Sequence, residues 1–244
     1  MAASASGKGT LYLIPNTLGK TPENNTIPEH VLGIIRRMEV LVVENIQAAV
    51  RYLQWVGDTV PEYKITFLVL NKKTPVHEIA SFLNPLKQGK DVGVISEAGS
   101  PAVADPGSEL VKMAHAQNIR VVPLAGPSSI LLALMASGFN GQQFAFHGYL
   151  PIAKTDREKS ILMLEQESRK HGQTQIFMET PHRNDAVIRD VIRLCHPETR
   201  FCSASNLTLP SESIISQSIA DWKKNPPSSV NKQPTIFLLS AGKK

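Results

Sequence analysis

An α/β fold in two domains is predicted by three features of the sequence. In the first half, short apolar runs rich in β-branched residues alternate with stretches whose apolar residues recur at helical spacing, the pattern of a mostly parallel sheet. In the second half, strand-like runs come more often per residue. There is little room for long crossovers, so that sheet is expected to be mixed or antiparallel. Within the first lies Ser96 to Ser129, a strand–helix–strand stretch broken by three turns of small residues: Ala98-Gly99-Ser100-Pro101, Asp105-Pro106-Gly107 and Ala125-Gly126-Pro127-Ser128-Ser129.

Taken in order, Thr10 to Pro15 reads as a buried first strand, and the turn-rich segment after it as a loop. Pro28 opens a helix at a favoured position. Val31, Ile34, Ile35 and Met38 form its apolar stripe. Glu39 to Val43 is a strand, Ile46 to Val56 a helix, Tyr63 to Leu70 a third strand and Pro75 to Lys87 a third helix. Asp91 to Ala98 feeds the central stretch, in which Ser108 to Gln117 is a helix and Ile119 to Leu124 a strand. Pro127 to Ser137 is apolar nearly all round, so it is expected to be a buried helix. Phe144 to Tyr149 is a strand at the change of character. Beyond it come a helix at Asp156 to Arg169, a strand at Gln175 to Glu179 and a helix at His182 to Leu194. Strands at Arg200 to Leu207 and Ser213 to Ile219, a polar, proline-rich loop and a last buried strand at Thr235 to Ser240 complete the reading. The expected division is a flexible tail at 1–9, an N-terminal domain at 10–143, a linker strand at 144–152 and a C-terminal domain at 153–244.

The 244 residues are 42% apolar and 19% charged, enough to bury a sizeable core. A net charge of +5 permits a polyanionic partner without demanding one. Cys195 and Cys202 form no zinc-type cluster and fit a reducing cytoplasm. The short polar head lacks the apolar core of a secretory signal, and the longest apolar stretch, Ile130 to Ala136, is too short to span a bilayer. No G-x-G-x-x-G follows the first strand. No phosphate-binding G-x-x-x-x-G-K-[ST], no G-x-S-x-G and no H-E-x-x-H is present, so dinucleotide, nucleophile-elbow and metal chemistry lack their usual signatures. Glycine in loops at the carboxyl ends of parallel strands lets a ligand approach the backbone, which points to a crevice for a small organic molecule.

Four segments then carry a resemblance: LYLIPNTLG at Leu11 to Gly19, SEAGSPAVADPG at Ser96 to Gly107, VVPLAGPSS at Val121 to Ser129 and FAFHGYLP at Phe144 to Pro151. In this ordered series the chain resembles the tetrapyrrole methylase superfamily, whose members use S-adenosylmethionine. Within it the chain is most similar to the small-subunit ribosomal RNA cytidine 2'-O-ribose methyltransferases, to which Glu179-Thr180-Pro181-His182-Arg183 adds a further match. It departs from that subfamily at Glu44-Asn45-Ile46-Gln47, which lacks an arginine, at Ser205 to Leu209, which loses three charges, and at Pro234-Thr235.

The resemblance implies two α/β domains with the cofactor in the cleft between them, a homodimer, and methyl transfer to ribosomal RNA. A small tetrapyrrole-like substrate, or cofactor binding without catalysis, is the alternative. Position by position, it implies that Leu18, Ser100, Val103, Ser128 and Ser129 line the S-adenosylmethionine site, with Met178, Ala204 and Thr235 from the second domain. Ser128 and Ser129 would equally serve as helix caps. A ribose hydroxyl must lose its proton, so a base is expected among Glu44, Glu179 and His182. Each has a structural alternative: Glu44 closes a strand, and Glu179 and His182 sit at a helix start beside Arg183. Asp105 is expected only to stabilise its own turn. Lys154, Arg157, Lys159, Arg169, Lys170 and Arg183 are candidate phosphate contacts, or else a solvated helix face.

Overall fold

A computed structural model describes residues 7–21, 24–225 and 228–242. They form two compact units, Met1–Pro127 and Ser128–Lys244. Of the tail expected at 1–9, residues 1–6 lie outside the described residues. Lys8 Nζ donates to the Gln117 carbonyl at 2.8 Å and Gly9 N to that of Leu86 at 2.8 Å.

The first unit is a five-stranded parallel sheet in the order β3-β2-β4-β1-β5. Its strands are β1 (Thr10–Ile14), β2 (Val40–Val43), β3 (Thr66–Val69), β4 (Val92–Ile95) and β5 (Arg120–Pro123). Strands β2 and β4 are buried at every residue, as befits central strands covered on both faces. The helices are α1 (Glu29–Ile35), α2 (Ile46–Val56), α3 (Val76–Ser81), α4 (Asn84–Lys87) and α5 (Ser108–Ala116). Two cores flank the sheet. One packs Val31, Ile35 and Leu53 against Ile14 and Leu41; the other packs Phe82, Leu86 and Leu110 against Leu11 and Val94.

Two elements differ from expectation. The strand expected from Tyr63 begins only at Thr66: Glu62–Lys64 is a 3-10 turn opened after Pro61, and Tyr63 points to solvent. The single helix expected at Pro75 to Lys87 is two. Pro85 lies in the first turn of α4, and a proline inside one continuous helix would remove a backbone donor and clash with the preceding turn.

The second unit is a mixed sheet in the order β6-β7-β10-β8-β9. Its strands are β6 (Phe144–Tyr149), β7 (Thr174–Met178), β8 (Arg200–Ser205), β9 (Ser213–Ser218) and β10 (Thr235–Ser240). Only β6 and β7 are parallel; β10 runs antiparallel to both β7 and β8, and β9 antiparallel to β8. The helices are α6 (Ser129–Ser137), α7 (Lys154–His171), α8 (Asn184–Leu194) and α9 (Ile219–Lys224). On one face Phe177, Phe201 and Phe237 stack beneath Ile161, Leu164, Val187 and Trp222. On the other, α6 packs across β8, β9 and β10. The sequence placed α6 in the first domain; it packs on the second sheet. It is also less buried than its composition implied: Ala133 and Leu134 are covered, while Leu131 and Met135 are exposed.

The basic residues of α7 divide. Arg157 is buried, not solvated: its Nη2 and Nε reach Asp190 Oδ2 at 2.8 and 3.0 Å, and its Nη1 donates to the Ile152 carbonyl at 3.1 Å. That removes it from the candidate phosphate contacts. Cys195 and Cys202 are both buried, and burial pushes each thiol up to about 12, far from thiolate chemistry at neutral pH.

Candidate functional site

The loops leaving the parallel sheet are tied to one another by side-chain donors to backbone carbonyls and by one backbone pair. The loops after β4 and β5 carry the small-residue turns, yet they do not leave adjacent strands. In the strand order β1 lies between β4 and β5. The loop after β1 is therefore the centrepiece. Asn16 and Gly99 exchange backbone hydrogen bonds of 2.8 and 3.2 Å, and Asn16 Nδ2 donates to the carbonyls of Ser96 and Glu97 at 3.0 and 3.1 Å. Tyr52 Oη, on α2, donates to the Pro15 carbonyl at 2.7 Å. On the other side a side chain at Gly126 would meet Pro15 Cβ at 2.3 Å, so this glycine permits the closest approach in the cluster. The outer loops still meet: Ser100 Oγ donates to the Pro127 carbonyl at 3.5 Å.

Within this bed Leu18 is half-buried and lies against Gly99, whose φ of +66° suits glycine. Ser100 is half-buried and Val103 exposed. Ala102 and Ala104 both have φ of +65°, a conformation that costs a residue with a Cβ and persists only where surrounding structure enforces it. From Ser100 to Asp105 no backbone amide donates to a backbone carbonyl among the described residues. The loop thus sets backbone groups beside small side chains.

Glu44 and Asp105 stand at the ends of β2 and of the loop after β4. Burial raises the Glu44 carboxyl above the ordinary carboxylate value, Asp105 and Glu97 raise it further, and Lys72 opposes them. Glu44 Oε1 is buried without a hydrogen-bond partner. Burial likewise raises Asp105, with Ser96 pulling the other way. Asp105 is therefore more than a turn residue: its charge acts on Glu44. Asn45, next to Glu44, caps α2 by accepting from Ala48 N at 3.0 Å.

In the mixed sheet, the register places Met178, Ile236 and Ala204 in one row across β7, β10 and β8. Their side chains share the face covered by α6, since Ser216, opposite Cys202 on that face, donates from Oγ to the Ser137 carbonyl at 2.6 Å. Ser128 and Ser129 begin α6 on the same side of this sheet. The capping alternative for Ser128 fails, because its side chain accepts no hydrogen bond from the helix amides. Thr235 is one residue from Ile236, so it faces the other way. Its Oγ1 meets Ser205 Oγ at 2.8 Å, accepts from Asn184 Nδ2 at 3.2 Å and donates to the Gln233 carbonyl at 3.0 Å. The Thr235 side chain and those of Met178 and Ala204 are on opposite faces.

Glu179 follows β7. Its buried carboxylate pairs with Arg183 and accepts from Thr180 N at 2.7 Å, while Oε2 stays unpartnered. His182, in the 3-10 turn Pro181–Arg183, is exposed. Two residues that sequence reasoning passed over do much of the positioning, Asn16 and Asn184. Each follows a strand end or starts a helix, where asparagine reads as ordinary turn or cap chemistry; only the fold reveals that each amide bridges distant segments. Among the described residues no group of three His, Cys, Asp or Glu side chains is placed to hold a metal ion.

These features have counterparts among known proteins. A family profile described as Tetrapyrrole (Corrin/Porphyrin) Methylases matches residues 25–222. A protein of Buchnera aphidicola subsp. Acyrthosiphon pisum named ribosomal RNA small subunit methyltransferase I is 30% identical over 219 residues, 88% of this chain and 73% of the relative. A protein of Pseudomonas aeruginosa with the same name is 30% identical over 217 residues, with the same coverage. Among solved structures, the methyltransferase CobJ superposes with a TM-score of 0.58 at 18% identity, covering 96% of this chain and 94% of its own. A uroporphyrin-III C-methyltransferase of Thermus thermophilus complexed with S-adenosyl homocysteine superposes with a TM-score of 0.56 at 14% identity, covering 95% and 97%. The parallel and mixed sheets, the loop bed and these matches lead to one conclusion: the chain belongs to the tetrapyrrole methylase family and is an S-adenosylmethionine-dependent methyltransferase.

Proposed function

We propose that this chain methylates a ribose 2'-hydroxyl of small-subunit ribosomal RNA. The observation that carries this reading is the match, over 88% of the chain, to relatives named for that RNA. The bed of loops fits the methyl donor: backbone amides between Ser100 and Asp105, set beside small side chains, can donate to its polar groups. Leu18, Ser100, Val103, Ser128 and Ser129 would hold it, with the Met178 and Ala204 side chains; from Thr235 only the backbone would contribute on their face. When bound, S-adenosylmethionine supplies an activated methyl group on its sulfonium.

The chain's own part is positioning and proton removal. Glu44 is the base favoured here. Burial and two neighbouring carboxylates raise its proton affinity, which suits a group that must take a proton near neutral pH. Glu179 is committed to Arg183 through Oε1, and serves better to fix the corner at which His182 is displayed. A homodimer is part of the same proposal, supported by exposed apolar side chains in the second unit such as Met135 and Ile152. A cytoplasmic setting accords with the two free, buried cysteines.

The test is incubation with radiolabelled methyl donor and small ribosomal subunits from a strain lacking the corresponding methyltransferase. Label in a 2'-O-methyl ribose of the subunit RNA supports the reading. Label only in a tetrapyrrole fraction, or donor binding by calorimetry with no transfer at all, replaces it with one of the two alternatives.

A further inference from the structure

From Trp222 to its end the sequence holds five lysines, Lys223, Lys224, Lys232, Lys243 and Lys244, and no acidic residue. Lys232 lies in the loop entering β10, and that loop is clamped. Asn184, fully buried at the start of α8, donates from Nδ2 toward the carbonyls of Val230 and Gln233 at 3.2 and 2.7 Å. Asp185 accepts from Val230 N at 3.0 Å and from Ser229 Oγ at 2.6 Å. The Pro181 carbonyl accepts from Lys232 N at 3.0 Å, and the Pro234 carbonyl from Asn206 N at 2.9 Å. So many ties on so short a polar loop exceed what joining α9 to β10 requires.

The clamp holds Lys232 at φ of +63°, a conformation a lysine does not adopt without enforcement, and such enforced residues gather at ligand-holding sites. The bond to Pro181 sets Lys232 beside the turn that displays His182. Both residues are exposed, and neither side chain has an ion-pair partner among the described residues. Arg183, the other cation of the turn, is used internally by Glu179. The loop therefore offers a lysine with a fixed backbone and an exposed ammonium at the end of the mixed sheet where β7 and β8 finish and β10 begins.

We infer that Lys232, mounted by Asn184 and Asp185, contacts a backbone phosphate of the RNA substrate. The inference rests on the RNA reading above. A phosphate contact adds affinity that is independent of sequence and falls with salt. The experiment is a salt titration of binding to small-subunit ribosomal RNA, with methyl-transfer kinetics on subunits and calorimetry of the methyl donor. Lys232→Gln is expected to lower the log–log salt slope by about one and raise KM for RNA roughly fivefold, leaving kcat and donor affinity unchanged. Asp185→Ala, which loosens the mount but keeps the charge, is expected to weaken RNA binding with the slope retained. Lys87→Gln, on α4, should behave as wild type. An unchanged slope and KM in Lys232→Gln, with transfer intact, overturns this assignment alone; a wild-type chain that binds no ribosomal RNA overturns both this and the function on which it rests.

Discussion

In the parallel sheet every strand points the same way, so the loops after β1, β4 and β5 arrive together and are stitched through backbone groups at Asn16, Gly99 and Gly126. In the mixed sheet β10 runs against β7 and β8, and β9 against β8, so the end that carries Glu179, Ser205 and Thr235 combines three strand exits, of β6, β7 and β8, with two strand entries, of β9 and β10. There charged and amide side chains do more of the joining, through Asn184, Asp185 and the Glu179–Arg183 and Arg157–Asp190 pairs, beside backbone bonds from Lys232 to Pro181 and from Asn206 to Pro234. The first arrangement stores strain in Ala102 and Ala104. The second pairs its charged groups with one another, while Glu179 Oε2 and Asn184 Oδ1 stay buried without partners.

If the contrast holds, the two units fail to different insults. Removing a charge should injure the mixed sheet most. Arg157→Leu leaves Asp190 buried without its main partner and is expected to cost about 3–5 kcal/mol in urea unfolding, much of it recovered in Arg157→Leu/Asp190→Leu. Chemistry should be most sensitive at Glu44. Glu44→Gln is expected to lower kcat by about 100-fold or more in methyl transfer, with donor affinity retained. Because burial raises the folded-state proton affinity of Glu44, its charged form opposes folding. Stability contributed by its protonated form is full below the unfolded carboxylate pKa and lost as pH rises through the folded one. Glu44→Gln should therefore stabilise the protein at neutral pH, and that gain should vanish in acid; thermal melts across pH check the sign.

A smaller effect is expected from backbone crowding. Gly126→Ala drives a methyl group into Pro15 and should cost about 1–3 kcal/mol while weakening donor binding at least tenfold by calorimetry. The smallest sharpens the reading of Ser128. A capping serine costs about 1 kcal/mol when changed to alanine. Ser128 makes no capping bond, so Ser128→Ala should move unfolding by less than about 0.5 kcal/mol. A loss of donor affinity in that same variant would assign the hydroxyl to the ligand.

Much of this architecture was readable beforehand, for definite reasons. Fully apolar runs such as Val92 to Ile95 mark central parallel strands, and the small-residue turns after them mark where backbone must come close. What escaped depends on which distant segments meet. Periodicity cannot say that β1 separates β4 from β5, and so could not elevate Asn16. Spacing along one strand does show that Thr235 alternates with Ile236, but only the register across β7, β10 and β8 sets Met178 and Ala204 on the face Thr235 avoids. Arg157 looked like one more solvated cation of a charged helix because its partner, Asp190, lies on a different one. The helix at Ser129–Ser137 was apolar enough to suggest full burial, yet a helix laid across one sheet covers only the side that faces it.

The position of β1 carries a further consequence, for the birth of the chain. Its register partners are Val92 to Ile95 on one edge and Arg120 to Pro123 on the other, so as the polypeptide leaves the ribosome its first apolar strand has no native neighbour until some eighty residues have followed. During that interval Thr10 to Ile14 is an unmatched sticky edge, a natural hold for a chaperone, and nascent chains arrested before Val92 should aggregate more than those arrested after β5 is complete.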